Sequence, residues 1–163
     1  MRIERVVVDA SPLIVLFKSG LAGLLPGLFS EVTVPAPVHL EVITVGLVDA
    51  ATNGLANANW VKRVEDRPIP PLIAAWDLGA GEASVLAHAM NDSDVWAILD
   101  DRAARTCARA LQIRTLGTVG LIVLAKRRGL IGSARDALAQ VTDAGCWISA
   151  DLVRAALIEA AES

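Results

Sequence analysis

Cysteine is scarce in this chain and never clustered: Cys107 and Cys146 stand alone, with no Cys-x-x-Cys. Neither a metal–thiolate site nor a disulfide framework is expected, and a reducing, cytoplasmic setting is. A basic excess is missing too. The formal net charge is −3, so bulk charge is not what would hold a nucleic acid. No apolar run is long enough to span a bilayer, and no membrane partner is expected. The longest run, Gly117 to Ala125, stops at Lys126-Arg127-Arg128. Arg2, Glu4, Arg5 and Asp9 interrupt the first residues, which argues against a secretory leader. There is no internal repeat, no low-complexity tail and no Gly-x-Gly-x-x-Gly after a strand, so a dinucleotide loop is not expected. What remains is a chain of single-domain size, residues 1–163, with 54% apolar residues to build a core.

The stretch from Arg5 to Phe17 organises the rest. Val6, Val7 and Val8 form a β-branched run of the kind found in buried parallel strands. Ser11-Pro12 reads as a helix cap followed by proline at the first helical position, opening a buried helix from Leu13. Asp9 lies between, at the carboxyl end of the strand, where open α/β sheets bind their ligands. With Ser11 as the cap, its carboxylate is left free. Val95 to Leu99 repeats the theme, followed by Asp100-Asp101 and a helix from Arg102 to Leu111. One aspartate suffices as cap; Asp101 takes that role and Asp100 is left over.

The intervening chain reads as a short helix over Gly20 to Phe29, broken near its end by Pro26-Gly27, and a strand Val32 to Pro35. A helix opened by Pro37 follows, with apolar Val38, Leu40, Val42, Ile43 and Val45 and with Glu41 inside it. Thr52 to Pro71 is the least regular region, with an edge strand near Trp60 to Val64. Gly79-Ala80-Gly81-Glu82 leads into a strong helix, placing Glu82 in its first turn, where the helix dipole favours an anion. Ile113 to Leu116 is a short strand. Helices follow over Leu121 to Lys126, Ala134 to Asp143 and Ser149 to Ala161, the last two bridged by Trp147 and Ile148. The expected fold is a three-layer α/β/α sandwich around a parallel sheet of four to five strands.

Asp9 and Asp100 end strands, and Glu41 and Glu82 sit in early turns of helices that follow strands or loops. In a parallel sheet all four face one rim. Gathered carboxylates repel and raise one another's pKa, a cost that a divalent cation removes. Oxygen donors without cysteine or an obligatory histidine suit Mg²⁺ or Mn²⁺ better than Zn²⁺. Such a site suits phosphodiester hydrolysis. His39 and His88 lie within helices and read as structural or surface residues. Arg102, Arg105 and Arg109 share one helix face; a solvated face is the default, and contact with a phosphate backbone is the functional alternative.

The ordered set Val-Val-Asp9-Ala-Ser11-Pro-Leu, Val-Pro-x-x-Val-x-x-Glu41, Leu-Gly-x-Gly-Glu82-Ala, Leu-Asp100-Asp101-x-x-Ala-Arg105 and Gly117-Thr118-x-Gly120, with Ala125-Lys126 and Gly129-Leu-Ile, resembles PIN-domain proteins. That fold includes the VapC-type toxin nucleases, and the nearest likeness is to a PIN-like subgroup with a Gly-x-Gly-Glu helix. The resemblance implies a parallel sheet flanked by helices and an acidic Mg²⁺/Mn²⁺ site that cleaves RNA. Asp9, Glu41 and Asp100 would take the metal positions. Glu82 stands where the toxins usually carry an aspartate. Ser11 would orient Asp9, with Asp101 and Thr118 in support. One departure stands out: where the toxins often have a further acid after the last active-site strand, this chain offers only Thr115 to Thr118 or the paired Asp101.

The expected activity is therefore metal-dependent ribonuclease action, with Arg102, Arg105 and Lys126 on flanking phosphates. RNA, or single-stranded DNA, would be the substrate, with a toxin role, an antitoxin protein partner and a homodimer as further expectations. The alternative is a catalytically weak regulatory module acting through protein association, for which the apolar terminal helices near Trp147 would serve as an interface. A phosphatase or phospho-receiver fits less well: the former usually has a second aspartate where Ser11 stands, and the latter has its acidic pair after the first strand.

Overall fold

Three consecutive valines with almost no exposed surface, Val6, Val7 and Val8, mark the centre of the molecule. A strand buried on both faces must be covered by helices above and below, and these helices link it to parallel neighbours. In the computed structural model, which describes residues 2–46 and 50–162, this strand is β1 (Arg5–Val8). The chain continues through α1 (Ala10–Lys18), α2 (Leu24–Leu28), β2 (Glu31–Pro35), α3 (Ala36–Gly46), α4 (Ala50–Asn57), β3 (Val61–Val64) and α5 (Pro71–Ala74). Then come α6 (Ala80–Met90), β4 (Val95–Ile98), α7 (Arg102–Ala110), β5 (Thr115–Leu116), α8 (Thr118–Arg127), α9 (Ala134–Asp143) and α10 (Ala150–Glu159).

 The five strands form one sheet in the order β3-β2-β1-β4-β5, with every pairing parallel.

This order sets the site. The chain runs from β1 outward through β2 to β3, then returns to the other side of β1 for β4 and β5. The reversal falls between β1 and β4, and in open α/β sheets the crevice beyond the carboxyl ends of such a pair is where ligands bind. Asp9 follows β1 directly, and Asp100 stands two residues beyond β4. The Asp9 amide donates to the Ile98 carbonyl at 3.0 Å, which ties the two strand ends together.

Helices cover both faces in three layers, as the sequence implies. α6 packs against β1, β2 and β4 and against α3, so Glu41 and Glu82 come from neighbouring helices. Leu13, Leu16, Leu86, Ile98, Leu99 and Leu121 are fully buried; truncating any one to alanine costs about 2–5 kcal/mol. Among the described residues no helix is long and apolar enough to cross a membrane.

Several boundaries differ from expectation. The first helix begins at Ala10, with Asp9 at the N-cap position, so Ser11 is not the cap and Pro12 is not its first residue. Any residue of a first turn has a free amide to lose, so proline fits there as well as at the opening position. Helix α4 occupies the start of the region read as irregular, and β3 is an edge strand as expected. Helix α8 starts at Thr118, three residues before the expected start, and β5 is shorter than the sequence suggests. The side chain of Val45, counted in the apolar face of α3, lies outside the described residues.

Candidate active site

Asp9 is the most constrained acid at the rim. Its side chain is 4% exposed, and although it occupies the N-cap position of α1 it makes no side-chain capping bond. Its Oδ1 has no hydrogen-bond partner among the described residues. Burial pushes its pKa up to about 7; the Ala10 amide pulls the other way, and the charges of Glu82, Glu41 and Asp100 add to the rise. A buried carboxylate without a partner for one oxygen is costly, and the cost falls when the group is protonated or meets a cation.

Glu41 meets Asp9 over Gly81. A Cβ at position 81 would lie 2.8 Å from Glu41 Oε2 and 3.4 Å from Asp9 Oδ1. The two oxygens thus face one small volume that only a glycine leaves open. Helix α3 brings Glu41 to this point from an exposed position on its surface.

Glu82 is placed differently. It is the third residue of α6, and its Oε2 accepts the backbone amide of the N-cap residue Gly79 at 3.2 Å. Its pKa is raised, first by burial, then by Asp101, with Glu41 adding and the Gly79 amide opposing. It feels the cluster while one of its oxygens serves the helix end.

Asp100 is not left free, as the sequence suggested. Its Oδ1 accepts the Thr118 amide at 2.8 Å and its Oδ2 accepts the Thr118 hydroxyl at 2.5 Å. Thr118 is the first residue of α8, so this carboxylate sits on the amino end of a helix, where orphan amides and the dipole favour an anion. Asp101 does cap α7, accepting the Ala104 amide at 2.9 Å. Thr118 itself is fully buried, which fixes Asp100 from below.

A hollow of about 430 Å³ opens beside Glu41 and Asp100, lined also by Ser11, Cys146 and Trp147. Ser11 reaches this hollow but leaves Asp9 Oδ1 without a partner. Arg105 stands close by: its Nη1 donates to the Leu99 carbonyl at 3.2 Å, and both it and Asp100 Oδ1 lie against Gly117. Arg102 is exposed on the first turn of α7. Lys126 is not brought to this rim. It lies in the last turn of α8, its Nζ donating to the Gly132 carbonyl at 2.5 Å and standing 3.8 Å from Glu162. Its ammonium group is engaged with the C-terminal segment, and it does not line the acidic hollow.

Neither histidine lines the hollow. Burial and Arg63 lower the pKa of His39. His88 is buried in α6, its pKa lowered by burial and by Arg67 against the opposing Glu65 carbonyl and Asp66. Sequence reasoning missed Gly81, Gly117, Cys146 and Trp147 as parts of the site. The Gly-x-Gly-Glu spacing was a signal for Gly81, because a glycine inside a first turn costs helix stability without a packing reason.

A parallel sheet with carboxylates at its switch-point strand ends defines a class of α/β proteins built to act at that rim. The family profile described as a PIN domain matches residues 5–162, and the chain belongs to the PIN-domain family. That is a nuclease-type fold whose members typically use divalent metals. The match is to the PIN domain as such and does not single out the toxin branch. No curated protein matches the chain.

Among the described residues, no three acidic, histidine or cysteine side chains form a ready-made metal-holding group. Thr118 holds Asp100 and Gly79 holds Glu82, which leaves Asp9 and Glu41 as the converging pair. The donor chemistry nevertheless fits a hard divalent cation: oxygen atoms only, one of them buried without a partner, beside a glycine that keeps the space open.

Proposed function

We propose that this protein is a Mg²⁺- or Mn²⁺-dependent ribonuclease that hydrolyses phosphodiester bonds at the Asp9–Glu41 rim. The observation that carries this reading is the buried, unpartnered Oδ1 of Asp9 facing Glu41 over Gly81. Asp9 and Glu41 would hold the cation, with Asp100 and Glu82 completing its surroundings. A bound divalent ion supplies charge neutralisation for the phosphate and a lowered pKa for its water.

The chain's own residues do the rest. Asp9 offers a carboxylate that burial keeps protonated until about neutral pH. Asp100 is locked in one orientation by Thr118 and is therefore pre-organised. Arg105, anchored on the Leu99 carbonyl, offers a cation within the same rim for a flanking phosphate. Resemblance to the toxin nucleases extends the proposal to a cytoplasmic toxin with an antitoxin protein partner and a homodimeric state.

The test is cleavage of a labelled single-stranded RNA with and without Mn²⁺. Wild type should cleave only with the metal. Asp9→Asn, which keeps shape and volume, should lower the rate by about a hundredfold or more. Equal cleavage by both proteins overturns the proposal.

A further inference from the structure

The acidic hollow is not isolated. A second hollow, of about 480 Å³, adjoins it and shares Asp100, Cys146 and Trp147 with it. Its floor is apolar, from Leu116, Val119, Val123 and Leu152, and Arg105 stands at the end nearest Asp100. The Cys146 thiol, its pKa raised by burial, also feels the Asp100 charge, which links this segment to the acids.

Trp147 stands on the ridge between the two hollows. Its side chain is 86% exposed, an extreme for the largest apolar residue type. It sits in the extended link between α9 and α10, just after Gly145, whose φ of +109° lets the chain turn out of α9. The other tryptophans have more cover: Trp60 stacks on Phe17, Trp96 lies against Arg114 and Trp76 is 38% exposed. Trp147 alone of the four presents most of its indole to solvent, and it does so beside carboxylates.

We infer that Trp147 is a stacking platform for a nucleobase of the substrate strand, seated next to the phosphate held at the Asp9–Glu41 rim, with the strand continuing into the hollow between α8 and α10. This inference rests on the nuclease reading above and adds a positioning residue to it. An unpaired base has an apolar face that an exposed indole covers without regard to sequence. The neighbouring Arg105 supplies positive charge for the backbone, and the apolar floor receives a second base. A duplex keeps its bases stacked inside and gains nothing from such a platform, so the site selects single strands.

Binding is measured in the Asp9→Asn background, where the strand stays intact, by anisotropy of a short labelled single-stranded RNA. Trp147→Ala should weaken binding about tenfold, and Trp147→Phe should restore most of it. An abasic residue moved along the RNA should remove the difference between tryptophan and alanine at one position only. In the otherwise wild-type enzyme, Trp147→Ala should raise KM with little change in kcat. Metal-dependent cleavage with the same KM for tryptophan, phenylalanine and alanine overturns the platform and leaves the nuclease intact. Neither binding nor cleavage by wild type overturns both. Unchanged RNA binding together with loss of a dimer in light scattering on Trp147→Ala assigns the indole to an interface and overturns the platform.

Discussion

Thr118 holds Asp100 with both of its donors, the backbone amide on Oδ1 and the side-chain hydroxyl on Oδ2. The pair joins the end of β4 to the start of α8 and fixes one acid of the rim. Thr118→Val keeps the volume and removes the hydroxyl. The expected loss is about 1–3 kcal/mol of stability, as for a buried hydrogen bond to a charged group, measured by urea unfolding. Cleavage should fall as well, because Asp100 loses its fixed orientation.

Gly81→Ala separates site geometry from fold. The added methyl meets the flexible end of Glu41, not backbone, so Glu41 can swing aside and the helix tolerates alanine. Thermal stability should stay close to wild type while metal-dependent cleavage drops about tenfold or more. An unchanged rate would remove Glu41 from the site.

Asp9 gives the fold a particular pH dependence. Its folded pKa is raised from 3.8 to about 7, so the folded state binds the proton more tightly than the unfolded chain. This contribution is fully present below the unfolded pKa and is lost as pH rises through about 7. The full effect is on the order of 4 kcal/mol. Asp9→Asn should flatten the stability profile between pH 4 and 7 and be the more stable protein above it; chemical unfolding across that range checks this.

Lys126 and Glu162 are expected to matter for stability and not for RNA. Glu162 accepts the Ser133 hydroxyl and the Ala134 and Arg135 amides at the start of α9, with Lys126 at 3.8 Å. Lys126→Ala should lower the melting temperature and leave RNA affinity unchanged. A loss of affinity with an intact melt would return Lys126 to the binding surface.

The parallel sheet and its rim were legible because β-branched runs and the aspartates that follow them are local features. Val6 to Val8 with Asp9, and Val95 to Leu99 with Asp100, needed no distant information. The partnership of Asp100 with Thr118 is not written locally, since it depends on where β5 and α8 come to lie. Helix α4 was hidden for a related reason. Its Gly54 lowers helix propensity, yet a side chain there would run into the ring of Phe17, which stacks on Trp60. Tertiary packing overrides propensity at that position. The exposure of Trp147 was invisible too, because a tryptophan between two amphipathic helices reads equally well as core.

The central claim is that Asp9 and Glu41 together bind a divalent cation. Calorimetric titration with Mn²⁺ just below neutral pH, in buffers of different ionisation enthalpy, tests it most directly. Wild type should bind saturably and release a proton from Asp9 as it does so, while Asp9→Asn binds weakly and releases none. Saturable binding of equal strength in both proteins, or no binding by wild type, would contradict the account.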